Sequence, residues 1–377
     1  MVIWIQNPFD NLPCEGFRKQ RFWLMAEAFA AAGHRVTFWT SDFSHASKAP
    51  RKIIAPLPTA FSVRFVPTPP YARNVGLARV RSHRAYARNW EEAARASLRG
   101  CADRPDAIIA SLPTISGACA ALALGREAGA KVVVDVMDAW PETFERLAPR
   151  GLRGLAKAAL APLRRQAQRL YAEADLVTGV CERYRELTGR ADYHLAYHGV
   201  EIGGDPVGPD RAGRTAIRLV YAGNLGRTYD LATVFKAVAE NPDFTLEIAG
   251  NWSGDLPARV TAHGYLGQDA LHRLLGSCDV GVIPMPADSW VGIPYKLCDY
   301  AKAGLRIVSS LGGESAELIA AARCGATYRT GDAASLANAV REVADLPRAA
   351  SRTLCEKAFD ANRIYADYVR RVERLFS

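Results

Sequence analysis

The chain lacks the cysteine spacings that mark zinc or redox chemistry. Its eight cysteines, at positions 14, 101, 119, 181, 278, 298, 324 and 355, form no Cys-x-x-Cys and no Cys/His zinc pairing. They fit a reduced cytosolic compartment, where free cysteine is a small buried hydrophobe. No cluster of acids or histidines has metal-ligand spacing, and no low-complexity tract interrupts the chain. The opening Met-Val-Ile-Trp-Ile-Gln has neither a basic stretch nor a long apolar segment, so no signal peptide is expected. Long apolar runs are scarce. The uncharged run Ala107–Gly125 is broken by Pro113, Thr114, Ser116 and Gly117, and reads as strand, turn and helix rather than a membrane span. Neither Gly-x-Gly-x-x-Gly nor Gly-x-x-x-x-Gly-Lys-[Ser/Thr] is present, which argues against a nicotinamide-dinucleotide or ATP site.

What is present is a globular composition, 49% hydrophobic and 23% charged, over 377 residues, a length that suggests two domains. Positive charge is uneven. Residues 1–190 carry 28 Lys and Arg against 17 Asp and Glu, whereas residues 191–377 carry 20 against 22. Arg73, Arg79, Arg81, Arg84, Arg88, Arg95 and Arg99 share one expected helix. Arg150, Arg153, Lys157, Arg164, Arg165 and Arg169 share another. These helices have two readings, solvated faces or faces turned to an anionic membrane.

Short apolar runs alternate with helical patterns, the signature of parallel βαβ units. Strands are expected at Val2–Ile5, Val36–Thr40, Val63–Val66, Ala107–Ala110, Val132–Asp135 and Leu176–Val180. Helices are expected at Phe17–Ala32, Val75–Leu98, Ile115–Ala128 and Leu152–Glu173. The Gly-, Pro- and Asp-rich stretch Gly199–Ala216 reads as a linker. A second series follows, with strands at Arg218–Tyr221, Thr245–Ala249, Val280–Ile283, Arg306–Ser309 and near Thr327. Its helices are expected at Leu231–Glu240, Ala270–Ser277, Tyr295–Ala303, Ser315–Ala322, Ala334–Ala344 and Ala349–Leu375. The expected organisation is therefore an N-terminal domain over 1–198, a linker over 199–216 and a second domain over 217–348, with 349–377 packing back on the first. Two doubly wound α/β domains bind ligands beyond the carboxyl ends of their strands and would form a cleft between them.

Several stretches fit a phosphate-bearing ligand. "YAGNLGR" runs from a strand into Gly223, Asn224, Gly226 and Arg227 before a helix, so backbone N–H groups and a fixed cation can approach a phosphate, although a plain tight turn fits as well. "LEIAGN" ends a strand at Gly250 and Asn251, and "HGYLG" carries Tyr265 and Leu266. In "DVMDAWPE", Asp138 either works on a hydroxyl proton or caps the next turn. Gly16 lies in a loop that leads into Arg18, Lys19 and Arg21. Cations are disfavoured at a helix start, which hints at an anion nearby. In "PYKLCDYAKAGLRIVSS", Lys296 and Asp299 share a helical face, either as an ion pair or as two contacts to one ligand.

Taken together, and with "ADLVTGVCERYREL", "HGV" and "DVGVIPM", these stretches resemble the retaining GT-B glycosyltransferases of glycosyltransferase family 4, over essentially the whole chain and in the family's order. Within that family the chain looks most similar to the bacterial surface-polysaccharide branch. The resemblance implies two Rossmann-like domains, a nucleotide-diphosphate sugar as donor, a saccharide or lipid-linked acceptor, no metal and no other cofactor. It implies that Arg227 and Lys296 contact the diphosphate and that Asp299 holds the ribose. Gly16, Gly223, Asn224, Gly250, Asn251, Tyr265 and Leu266 would line the nucleotide, and Asp138 would lie on the acceptor side. No nucleic-acid partner is expected. The enzyme is expected in the cytoplasm, with its basic half at the inner face of the plasma membrane. The sequence departs from the family pattern at Val291, where an acid is usual, at Met137, where many relatives carry His, and at Tyr229, where many carry Lys. A sugar-nucleotide epimerase and a non-catalytic nucleotide-sugar binder share the architecture and remain alternatives.

Overall fold

Short strands buried on both faces need helices on both sides of the sheet, and both halves of this chain supply them. The structure, a computed structural model, describes residues 1–377 except 59, 75, 101–103, 204–207, 209–215, 224–228 and 253. It divides into two units, residues 1–199 with 362–377, and residues 200–361.

The first unit runs β1 (Val2–Gln6), α1 (Arg21–Ala31), β2 (Arg35–Ser41), a small hairpin of β3 (Phe43–Ser44) and β4 (Ala49–Pro50), β5 (Ser62–Val66) and α2 (Leu77–Arg99). It continues with β6 (Ala107–Leu112), α3 (Ile115–Ala128), β7 (Lys131–Val136), α4 (Glu142–Leu147), α5 (Arg153–Glu173), β8 (Leu176–Gly179), α6 (Arg183–Thr188) and β9 (His194–Leu195). Seven strands pair in the order β5-β2-β1-β6-β7-β8-β9, all parallel. The order reverses between β1 and β6, so the loops after these two strands diverge and leave a crevice at their carboxyl ends. The run Ala107–Gly125 is the buried strand β6, a turn and most of α3, and among the described residues no helix is long and apolar enough to cross a membrane.

The first helix starts at Arg21, not at Phe17. Arg21 is fully buried. Its Nε and Nη2 each donate to Asp135 at 2.8 Å, and Nη1 donates to the Ala196 and Tyr197 carbonyls at 2.8 and 2.9 Å. The anion expected near this helix start is thus, for Arg21, a carboxylate of the same unit. Lys19 pairs with Glu27 at 3.0 Å.

Asp10 is buried beside this network. Its carboxylate accepts the Phe22 N–H at 2.9 Å, and its own N–H donates to the Asn7 side chain at 2.7 Å. Burial pushes its carboxyl up to about 7 against the opposing pull of the Phe22 N–H, Arg51 and Arg21. The unfolded chain releases this proton near pH 4, whereas the folded chain keeps it to about pH 7. Through that window the unfolded state binds fewer protons, so stability falls as pH rises and levels off above it. Over three pH units the effect is on the order of 4 kcal/mol. Urea melts from pH 4 to 8 should show a steeper loss for the natural protein than for Asp10→Asn, and parallel curves would refute the assignment.

The second unit runs β10 (Ile217–Ala222), α7 (Leu231–Glu240), β11 (Phe244–Ala249), β12 (Val260–Ala262), α8 (Gln268–Ser277), β13 (Val280–Ile283), α9 (Tyr295–Lys302) and β14 (Arg306–Ser309). It then adds α10 (Glu314–Ala321), β15 (Gly325–Thr327), α11 (Ala333–Val343) and α12 (Arg348–Ala358). Its six parallel strands lie in the order β12-β11-β10-β13-β14-β15, with the reversal between β10 and β13. The core is aliphatic, centred on Leu219, Leu246, Val282 and Val308 from the sheet and on Val234, Leu336 and Val340 from α7 and α11. Asp230 caps α7 through the Thr233 N–H, and Asp332 caps α11 through the Ser335 N–H, each satisfying an otherwise orphaned donor.

The single helix expected over Ala349–Leu375 is two, α12 and α13 (Ala361–Glu373). The break has a backbone cause. Val200 N–H donates to the Phe359 carbonyl at 2.8 Å, and Ala361 N–H donates to the Val200 carbonyl at 3.0 Å, bonds that a continuous helix would forbid. Most of α13 belongs to the first unit. Its Tyr365 accepts the Gly199 N–H at 3.1 Å, Tyr368 lies 3.1 Å from the Thr178 hydroxyl, and Glu373 bonds His34 at 3.0 Å.

Candidate active site

In the second unit the reversal of strand order separates the ends of β10 and β13. The turn after β10 carries Gly223, and the loop after β13 leads to α9, whose first turn carries Lys296. The two meet. A Cβ built on Gly223 would lie 2.5 Å from Lys296 Nζ and 2.8 Å from its Cε. Gly223 also has a φ of +140°, so the backbone favours glycine here, and a side chain would displace the Lys296 ammonium. Its N–H donates to the Ala249 carbonyl at 2.8 Å.

Lys296 is held by aromatic rings rather than by the Asp299 carboxylate. Its Nζ lies 4.2 Å from the Tyr229 ring centroid and 5.0 Å from that of Tyr221, and these rings meet edge to face at 5.6 Å. Cation–π contact orients an ammonium while leaving its N–H donors available to an anion. The helix is seated by Tyr300, four residues further on. Its hydroxyl accepts the Ala222 N–H at 2.9 Å, and a Cβ on Gly281 would strike its ring at 2.4 Å. Strand β10, strand β13 and helix α9 are thus locked around Lys296.

Along the same edge Gly250 ends β11 at a φ of +153° and donates its N–H to the Gly264 carbonyl at 2.8 Å. Asn251 follows and is exposed, Tyr265 is 63% exposed, and Leu266 is half-buried. Asp299 is half-buried on α9, three residues beyond Lys296. Arg227 and Asn224 lie outside the described residues. Gly223, Lys296, Asp299 and the Gly250–Gly264 edge therefore belong to one end of one sheet, whereas Asp138 and Gly16 belong to the first unit.

Gly16 closes a short 3₁₀ turn over Pro13–Glu15 at a φ of +83°, and Glu15 forms a buried ion pair with Arg51. Asp138 follows β7 and reaches solvent. The protein around it pushes its carboxyl up, and Arg79 pulls it back down. No motif had singled out what surrounds Arg79. Its guanidinium lies 4.8 Å from the Trp140 ring centroid, 5.6 Å from Phe9 and 5.9 Å from Tyr71, and its Nε approaches the His83 Nε2 at 3.2 Å. His83 stacks on Trp140 at 5.6 Å. Among the described residues no group of three or more His, Cys, Asp or Glu has the geometry to hold a metal ion.

Each unit matches a known family. Residues 19–194 match the model described as Glycosyl transferase 4-like domain, and residues 216–345 match Glycosyl transferases group 1. No curated protein matches significantly. Among solved structures, the sucrose-phosphate synthase of Thermosynechococcus elongatus superimposes with a TM-score of 0.75 at 14% identity, covering 99% of this chain and 98% of that one. Anabaena Alr3699/HepE in complex with UDP and glucose gives 0.66 at 14% identity, over 99% and 100% of the two chains. WaaG, a glycosyltransferase involved in lipopolysaccharide biosynthesis, gives 0.64 at 13% identity, over 98% and 99%. The chain therefore joins a glycosyltransferase 4-like domain to a group 1 glycosyltransferase domain, the two Rossmann-like halves of the GT-B glycosyltransferase fold.

Proposed function

We propose that the protein transfers a sugar, with retention, from a nucleoside-diphosphate sugar to a saccharide or lipid-linked acceptor during bacterial surface-polysaccharide assembly, as a family 4 enzyme. The observation that carries this reading is Lys296 packed against Gly223 where the strand order reverses. Departure of the nucleoside diphosphate builds negative charge on its β-phosphate. A cation fixed there beforehand, with no need to reorganise, lowers the barrier. In this reading Lys296 and Arg227 face the diphosphate, Asp299 accepts from the ribose hydroxyls, and Gly250, Asn251, Tyr265 and Leu266 border the base. Gly16 and Asp138 serve from the first domain, and no protein nucleophile is assigned. The complexes of HepE with UDP and with UDP-glucose support the donor class. Release of nucleoside diphosphate from a panel of nucleotide sugars, assayed with a lipid-linked saccharide extract, tests the reading. Donor- and acceptor-dependent release is expected. Binding without turnover would instead favour a non-catalytic relative, and an isomerised free nucleotide sugar an epimerase.

The same proposal places the first domain at an anionic membrane surface. Helix α5 buries only Ala167, Leu170 and Tyr171, all near its C-terminal end. Its other end exposes Leu155 (70%) and Leu163 beside Lys157 and Arg165, with Leu152 exposed just before it. Apolar side chains flanked by cations suit the interfacial zone of a bilayer. By contrast Arg164 is answered inside the unit by Glu142 and Glu145, and Arg95 by Glu91 and Glu127. Co-sedimentation with vesicles containing anionic lipid should fall several-fold in Leu155→Glu, and equal binding to neutral vesicles would contradict the placement.

A further inference from the structure

The cluster around Arg79 is unusual in its charge. Arg79 stands in the first turn of α2, where the helix dipole disfavours a cation. Lys48 lies 5.0 Å from the same Tyr71 ring, and its Nζ donates to the His45 carbonyl at 2.6 Å. Neither cation is ion-paired with a carboxylate among the described residues. Arg79 hydrogen-bonds the Tyr71 hydroxyl, and the carboxylate acting on it is Asp138, at longer range. Burial, and then the neighbouring cations, hold His45 down to about 3, and burial and Arg79 do the same for His83, so both rings are neutral near pH 7. Lys48 is pulled down to about 8 by burial and by Arg79. The protein thus gathers two cations in a partly desolvated setting with no carboxylate paired to either among the described residues, an arrangement that an incoming anion relieves.

The second feature is shape. Phe9, Phe43, His45, Tyr71, Ser82 and His83 line a small hollow with room for about one water, and Arg79 and Lys48 adjoin its wall through His83 and His45. Ser82 is 1% exposed, and its hydroxyl has no hydrogen-bond partner among the described residues although it lines this hollow. A buried hydroxyl left unpaired is destabilising unless a ligand or water completes it. The walls come from the loops after β1, β2 and β5 and from α2, and Trp140 follows β7, so the cluster sits at the carboxyl end of the first unit's sheet.

We infer that this cluster is the acceptor subsite and that the acceptor sugar carries an anionic group, a phosphate or a carboxylate, bound by Arg79 and Lys48 while an apolar face of its ring packs on Trp140. The inference rests on the glycosyltransferase reading and adds to it the charge of the acceptor. An Arg fork and an ammonium suit either oxyanion, and the aromatic walls exclude water from the contact.

Calorimetric titration with glucose 1-phosphate, glucuronic acid and glucose, in saturating UDP to fill the donor subsite, tests it. At least one anionic sugar should bind ten-fold or more tighter than glucose. Arg79→Gln should weaken that binding ten-fold or more and Lys48→Gln less, with UDP affinity unchanged in both. Preference for the phosphate identifies the phosphate of a lipid-linked saccharide as the group read, preference for glucuronate an acidic glycan, and either supports the inference. Melting curves check that Arg79→Gln folds, and if it does not, Lys48→Gln carries the comparison. Equal binding of glucose, no binding of either anionic sugar, or affinity unchanged by the substitutions overturns it. Loss of UDP binding in the natural protein would instead count against the donor reading, so the two failures are distinguishable.

Discussion

Replacing Lys296 by Ala should weaken nucleoside-diphosphate binding by about 1–3 kcal/mol, the value of one charge-assisted hydrogen bond. Turnover should fall further, on the order of 10²–10³-fold, because the cation is worth most when the leaving phosphate gains charge. The side chain touches the rings of Tyr221 and Tyr229 and the backbone at Gly223, so its loss removes no buried ion pair and the melting temperature should move little. Calorimetry and steady-state kinetics on the same sample separate these effects. An unchanged dissociation constant would remove Lys296 from the diphosphate site.

Replacing Arg21 by Met should destabilise the first unit by about 3–5 kcal/mol, the usual result of removing one partner from a buried pair. Burial works against the Arg21 charge, yet Asp135 outweighs it and holds the guanidinium's pKa up. With Arg21 gone, Asp135 loses its paired cation in a fully buried site and keeps hydroxyl partners, Thr178 at 2.6 Å and Tyr368. The Ala196 and Tyr197 carbonyls lose their donor as well. For a unit of this size the melting temperature should drop by about 10 °C. Adding Asp135→Leu should recover part of that loss, because the uncompensated charge goes with it. A single mutant as stable as the natural protein would show the network to be dispensable.

The parts of the fold that local signals define were legible in the sequence. Val280–Ile283, Leu231–Glu240 and Ile115–Ala128 have the expected boundaries, since each is an apolar run or a helical stripe bounded by breaking residues. Helix α9 lies between Pro294 and Gly304 and ends within one residue of its expected end. The errors lie where distant residues decide. Arg18 and Lys19 resemble a first helical turn, but the helix waits for Arg21, whose place is set by Asp135 far along the chain. The break between α12 and α13 has no glycine or proline to announce it, and is made by backbone bonds to Val200. Strands β9 and β12, of two and three residues, are too short to show a pattern.

The candidate site divides in the same way. Lys296, Asp299 and Gly223 sit in local motifs and were legible, whereas the tyrosine cradle of Lys296 needs the packing of β10 against α9 to be seen. The Arg79 cluster draws on Phe9, His45, Tyr71 and Trp140 from separate loops that no spacing in the chain relates, whereas His83 follows Arg79 by one turn of α2. Arg79 itself was counted only as one charge on a basic helix.

The central claim is that the second domain binds a nucleoside diphosphate through its phosphates. A melting-temperature panel of UDP, GDP, dTDP, ADP and CMP tests it most directly, because a ligand that binds the folded state raises the transition by mass action. The account predicts a clear rise with one diphosphate, none with CMP, and loss of that rise in Lys296→Ala. No shift with any diphosphate, or an equal shift in the variant, would contradict it.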